Sequence, residues 1–256
     1  MKWGGLRKGQ YHLNDAVSST RESNRLKSDV FGVQKSKTLK FSAAPFSFFS
    51  IEEARIHAHL CGDGSVWREY RKRSPADLAS HKRRNPFREF WWLNYTNTRR
   101  KLRDEFEDDM IKAFKRKLWQ HQTINLKAGS VKKILIRLKL LGKNSHNWFI
   151  PEEILFARKL VKSYWLQAFF DDEATVSIEK KSIRLKIVNH SGLLQIQTML
   201  QDLGILSNIT GPNIDNTWFL NIRHKEIFKF KRIIGFTHPK QKRKLSILAN
   251  LLTKSE

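Results

Sequence analysis

Residues 50–64 read SIEEARIHAHLCGDG, and the way this stretch is built decides the rest of the chain. Ser50 followed by Glu53 is a capping box, which starts a helix by satisfying two of its otherwise unpaired N–H groups. Ala54, Ala58 and Gly62 then recur at four-residue steps, so one helical face is lined with small residues. Such a stripe admits a second helix at close range, which a surface helix does not need. The stretch ends in a carboxylate between two glycines, Asp63, at the mouth of the very basic run SVWREYRKR (65–73).

Working outward, the period changes from four to two after Gly64. Residues 65–73 read as a strand, a gap with Pro75 and Pro86 follows, and FREFWWLNYT (87–96) reads as a second strand. Leu102, Phe106, Met110, Phe114 and Leu118 predict a helix. TINLK (123–127) predicts a short strand, and Val131, Ile134, Leu135 and Leu138 a helix over 131–141 stopped by Gly142. After Pro151 the order begins again. YWLQAFFDDEA ends in acids, TVSIEK and SIRLKIV alternate as strands, and Leu193, Ile196, Leu200 and Leu203 mark a helix ended by Gly204. TWFLNIR is another strand, and 224–236 and 240–252 read as closing helices. The chain is therefore an internal repeat in which Asp63 recurs as Glu173.

Composition narrows the partner. Forty-nine Lys and Arg against twenty-four Asp and Glu leave a formal charge of +25 in 256 residues, which points to a polyanion, and nucleic acid before a membrane. No apolar run approaches the roughly 18 residues of a spanning helix. The opening MKWGGLRKG has no apolar core, so no secretory signal is expected, and the single Cys61 excludes an intramolecular disulfide or a multi-cysteine zinc site. These features predict a reduced, cytoplasmic protein. Eight Trp and seventeen Phe predict a folded one, although residues 1–45 lack a period and read as a basic extension.

IHAHLCGDG (56–64) and LQAFFDDEA (166–174) resemble the paired signature helices of LAGLIDADG homing endonucleases, in the single-chain, two-repeat form of archaeal intron-encoded members. The linker NWFIPEEIL and the closing IGFTHPKQKRKL are similar too. The resemblance covers about residues 46–256. It implies an α+β fold of two pseudo-symmetric αββαββα repeats, 46–150 and 151–256, forming a saddle over DNA, and a monomer acting on a long, pseudo-palindromic or asymmetric duplex target. It also implies site-specific cutting of both strands across the minor groove to leave 3′ overhangs, as used in intron homing.

Physical reasoning about the acids stands beside that resemblance. Two helices packed through Ala54, Ala58 and Ala168 bring Asp63 and Glu173 together, and like charges so placed require a cation. Oxygen ligands without thiolate favour Mg²⁺ over zinc. Mn²⁺ is expected to substitute, and Ca²⁺ to occupy the site without turnover. The resemblance adds backbone carbonyls of Gly62 and Asp172 as metal ligands, and a lysine near the site. Lys186, on the cationic face of its strand, is the candidate for that catalytic lysine, with Asn94 as its first-repeat counterpart. Two departures stand out: Ala174 replaces the closing glycine, which strains the turn if it needs positive φ, and bulky Asp172 falls where the helices should be closest.

Alternation also sorts the strands by face. With Val66, Tyr70, Trp91, Leu93, Tyr95, Val176, Ile178, Leu185 and Ile222 inward, the residues left facing DNA are Trp67, Glu69, Arg71, Arg73, Arg88, Asn94, Ser177, Glu179, Lys181, Arg184, Lys186, Asn221 and Arg223. Other motifs read as structural. His57, His59 and Cys61 diverge by about 200° per two residues on a helix and cannot share a metal. One of Trp91 and Trp92 is core, and the acids at 104–109 read as a solvated helix face. Two rival functions remain: a non-cleaving RNA maturase or transcription regulator of the same fold, and a basic structural nucleoid protein.

Overall fold

The computed structural model describes residues 48–80, 86–116, 119–120, 123–127 and 130–253; the basic extension at 1–45 and Leu118 lie outside them. Helix α1 (Ile51–Cys61) begins at the capping box: the Glu53 N–H donates to Ser50 Oγ (3.2 Å) and the Ser50 N–H to Glu53 Oε2 (2.9 Å). Strands β1 (Gly64–Lys72) and β2 (Phe87–Thr96) pair antiparallel, joined through a short helix α2 (Pro75–Ser80) in the proline-marked gap. Then come α3 (Arg100–Phe114), β3 (Trp119–Gln120), β4 (Thr123–Lys127) and α4 (Val131–Arg137). Helix α4 stops short of the expected 141: Leu138 and Leu140 both turn into the core with Lys139 left-handed between them (φ 55°), and Gly142, also left-handed (φ 73°), follows the turn rather than ending the helix.

The second half repeats the plan: α5 (Glu152–Leu155), α6 (Lys159–Glu173), β5 (Ala174–Ser177), β6 (Ser182–Ile187), α7 (His190–Asp202), β7 (Asn208–Thr210), β8 (Trp218–Arg223), α8 (Glu226–Ile233) and α9 (Pro239–Thr253). Its sheet order, β5-β6-β8-β7, copies the first sheet's β1-β2-β4-β3. The short fourth strands β3 and β7, of 2 and 3 residues, are too brief to show as alternation in sequence. Strand β5 is shorter than TVSIEK predicts, because Ile178–Lys181 form the tight turn into β6, with Lys181 at φ 45°.

Helices α1 and α6 make the most extensive helix contact among the described residues. Ala54 and Ala58 are 0% exposed and Ala168 is 3% exposed in it, so the small-residue stripe does what its spacing implies. Behind it Trp165 stacks on Phe169 at 5.2 Å, and both are fully buried with Phe170, each contributing roughly 1.5–3 kcal/mol. The acids of α3 divide: Asp108 is exposed and Asp104 and Glu105 are half-buried, but Asp109 is fully buried against the Arg55 guanidinium, whose Nε donates to Oδ2 at 2.8 Å, and Glu107 is buried too. No described helix is long and apolar enough to cross a membrane.

Candidate active site

The two signature segments end differently. Helix α1 closes at Cys61, with Gly62 as its cap, whereas α6 runs on through Asp172 and Glu173. The closing positions therefore carry different demands. A Cβ on Gly64 would lie 2.4 Å from Leu60 Cα, so glycine is needed there for close approach. Ala174 sits in extended backbone (φ −90°, ψ 146°), so the anticipated strain is absent. At Gly62 a Cβ would stand 3.0 Å from Asp172 Cβ. The glycine of one helix thus makes room for the aspartate of the other.

Asp172 projects into a pocket built by the first repeat. Its side chain is 0% exposed and accepts from His59 Nδ1 (2.8 Å), Tyr95 OH (2.7 Å) and Asn97 Nδ2 (3.2 Å). The same Asn97 amide donates to Asp63 Oδ2 at 2.9 Å, so acids from both halves converge on one nitrogen. Asn97 is carried there by β2, whose last residue, Thr96, donates its N–H to the Asp63 carbonyl (3.4 Å). Asp171, also buried, accepts from the backbone N–H groups of Thr237 (3.0 Å) and His238 (2.8 Å), pinning the approach to α9. Asp63, Asn97, Asp171, Asp172, His238 and Gln241 line one hollow of about 290 Å³.

The electrostatics follow from this crowding. Loss of surrounding water, then the Asp172 charge, push Asp63 up to about 6 against the pull of the Asn97 hydrogen bond, although its tip still reaches solvent. Burial, then the charges of Asp63 and Asp172, push Glu173 up to about 7. Asp171 is raised to about 7 by burial, with the two backbone N–H groups opposing. For His59 burial disfavours the cation, but the Asp172 charge and hydrogen bond outweigh it and hold the imidazole above its ordinary value. His57 points elsewhere: it accepts from Trp165 Nε1 at 3.0 Å and burial lowers it to about 3, leaving it neutral. His57, His59 and Cys61 do not converge, and among the described residues no three His, Cys, Asp or Glu side chains form a ready-made metal cage.

The remaining sequence-nominated residues divide by position. Trp67, Glu69 and Arg71 on β1 and Arg88 and Asn94 on β2 share the face opposite buried Trp91, Leu93 and Tyr95. There Trp67 stacks on Trp92 (5.7 Å, 9°), Trp92 Nε1 donates to Glu69 (3.0 Å), Glu69 holds Arg71, and Arg71 and Arg88 lie over Phe90. The expectation that Tyr70 faces the core fails: it is 56% exposed under the Arg68 guanidinium, because the β1–β2 hairpin outruns the core. Arg73 lies just past β1, its N–H on the Pro86 carbonyl. Ser177 ends β5, and Glu179 and Lys181 are in the turn after it rather than on a strand. Arg184 stacks over Phe219 and its Nε donates to Asn221 (3.1 Å), which is buried at 6% rather than open; Arg223 ends β8, exposed.

Lys186 pairs with Asp215 at 2.6 Å, half exposed. Its first-repeat counterpart also differs from expectation. Gly64 pairs with Tyr95 and Ala174 with Leu185, so Thr96 matches Lys186, and Asn94 matches Arg184. The residues the sequence did not single out, Asn97 above all, carry no motif; the register two positions beyond the partner of Gly64 is the sole signal that places it beside Asp63.

Residues 161–235 match the model of the LAGLIDADG-like domain, and no curated protein matches the chain. Among solved structures, the homing endonuclease I-DmoI in complex with DNA and Mn matches with a TM-score of 0.52 at 14% identity, over 72% of this chain and 96% of that one. Other I-DmoI complexes with DNA contain Mg or Ca. The I-LtrWI LAGLIDADG homing endonuclease bound to target DNA matches at 0.50 and 13% identity, over 80% and 92%. Full-length DUF199/WhiA from Thermatoga maritima matches at 0.50 and 14%, over 82% and 62%. The chain thus carries a LAGLIDADG-like domain over residues 161–235, and its fold is similar to that of the LAGLIDADG homing endonucleases over 72–80% of its length.

Proposed function

We propose that this LAGLIDADG-fold protein is a site-specific endonuclease that cuts both strands of duplex DNA with a divalent cation, Mg²⁺ foremost. The observation that carries the reading is the meeting of Asp63 and Asp172, with Glu173 beside them, at the junction of two repeats in a chain of charge +25. The donor set fits a hard cation. It is all oxygen, two of its carboxyls are raised by burial and then by neighbouring carboxylate charge, and neither Asp63 nor Glu173 has an ion-pair partner among the described residues. Asp63 and Glu173 would hold the cation, with backbone carbonyls of Gly62 and Asp172 as further ligands. When bound, it supplies Lewis-acid polarisation of the phosphodiester and acidifies a water.

The chain's own residues do the rest. Asn97 fixes one oxygen of Asp63, leaving Oδ1 without a partner among the described residues. The aromatic and cationic faces of both sheets, Trp67, Arg71, Arg88, Arg184 and Lys186 among them, bind and orient the duplex by phosphate contact and base stacking. Mn²⁺ replaces Mg²⁺ in this reading, Ca²⁺ binds without turnover, and a single chain supplies both half-sites and leaves 3′ overhangs, in keeping with a role in intron homing. A second reading, a non-cleaving RNA maturase or transcription regulator on the same scaffold, draws on one observation: three donors of the first repeat engage the Asp172 carboxylate, so an acid of the second signature segment serves a structural contact. Incubation of the chain and of Asp63→Asn with a duplex library and Mg²⁺ separates them. The nuclease reading predicts cut duplexes that vanish with Asp63→Asn; RNA binding with no cut in Mg²⁺ or Mn²⁺ supports the second.

A further inference from the structure

The two repeats place different residues beside equivalent acids. Counting from the pairing of Gly64 with Tyr95, the second residue beyond is Asn97; counting from the pairing of Ala174 with Leu185, it is Ile187. Asn97 is 9% exposed and held on every side. Its Oδ1 accepts from the Arg99 N–H (2.9 Å), its carbonyl accepts from Arg103, and its Nδ2 therefore faces Asp63 (2.9 Å) and Asp172 (3.2 Å). An amide whose oxygen is committed cannot flip without losing a bond at both ends. Ile187 is an 8% exposed side chain with no donor, and Glu173 makes no hydrogen bond or ion pair among the described residues.

We infer that Asn97 is a positioning residue that ties the acid of the first repeat to the second repeat through Asp172, making the two halves of the site unequal: Asp63 is preset and Glu173 is not. The inference rests on the proposed nuclease reading for its catalytic consequence but on geometry alone for the asymmetry. An outer-shell donor of this kind holds a ligand in one orientation before any cation arrives, and losing it typically costs about 10–100-fold in metal affinity or rate. Asn97 is one of three donors to Asp172 but the sole described donor to Asp63, and it does not touch Glu173, so its loss falls chiefly on the Asp63 half of the site.

Two variants separate positioning from backbone capping. Asn97→Ala removes both the bond from Arg99 and the amide donor. Asn97→Ser retains a short oxygen that can accept from the Arg99 N–H, as serine does in turns, but not the reach to Asp63. If Asn97 positions Asp63, both variants bind Mn²⁺, titrated calorimetrically into the full chain, about 10-fold or more weakly. Both then accumulate singly nicked plasmid where the unaltered chain gives linear product, with duplex affinity in the absence of metal unchanged. Wild-type Mn²⁺ affinity in either variant, or Asn97→Ser restoring both readouts, would overturn the inference. Absence of any cutting by the unaltered chain would instead remove the nuclease reading, and the Mn²⁺ titration would still decide the role of Asn97.

Discussion

Replacing His59 by Phe tests whether the buried contact between the repeats is an ion pair. The ring volume is retained, and the neighbours, Tyr95 at 4.9 Å and Phe106 at 5.9 Å between ring centroids, are aromatic, so packing loss is small. What changes is Asp172. Its side chain is 0% exposed and keeps only Tyr95 OH and Asn97 Nδ2 as donors. Breaking a buried pair by removing one partner costs about 3–5 kcal/mol, because the remaining charge stays out of water. In a domain of this size each kcal/mol moves the unfolding midpoint by about 2–4 °C, so His59→Phe should lower Tm by at least about 6 °C in thermal unfolding without metal. Asp172→Ala costs less, since His59 can then give up its proton and leave no buried charge, and the double variant should show a coupling of about 1–3 kcal/mol. The pH dependence gives a second check. A histidine whose folded value is raised contributes stability fully below its unfolded value of about 6.5 and loses it as pH rises through the folded value. His59→Phe should therefore destabilise most at pH 5–6 and progressively less above. A Tm change equivalent to under about 1 kcal/mol, or a coupling within about 0.5 kcal/mol of zero, would refute the ion-pair account.

Three further outcomes follow from the same geometry. Asp63 at about 6 and Glu173 at about 7 are raised carboxyls, so their contribution to stability is present below about pH 4 and lost as pH climbs through those values; Mg²⁺ should accordingly raise Tm more at pH 8 than at pH 5 in a calorimetric scan. Ala58→Leu overfills a fully buried helix contact, costing about 1–3 kcal/mol in urea unfolding and spreading the acids that the contact aligns. Arg71→Ala and Arg184→Ala should each reduce the slope of log affinity against log salt by about 1 if the side chain touches a phosphate, measured by fluorescence anisotropy with duplex DNA.

Much of this was legible in sequence because it depends on periodicity. The capping box at Ser50, the small-residue stripe of α1, the bounds of β2 and β4, and the recurrence of the signature segment all follow from residue type and spacing. What escaped depends on pairing across the chain. The match between Lys186 and Thr96 is a matter of strand register, which alternation alone fixes only to within a residue or two. His59 reads as structural and Tyr95 as core, and both are buried, yet each spends its polar atom on Asp172, a partner far away in sequence. Asp109 read as solvated because its partner, Arg55, lies on another helix. Asn221 read as open because the guanidinium that covers it comes from the neighbouring strand. Asp172 itself, a misfit within its own motif, is explained only by the donors that another repeat brings to it.

The most direct test is a crystal structure of the full chain with cognate duplex and Mn²⁺, phased to show anomalous scattering. The account predicts Mn²⁺ peaks bound by the Asp63 and Glu173 carboxylates, against a phosphodiester of each strand. Mn²⁺ bound elsewhere, or a duplex that passes the acids by, would contradict it.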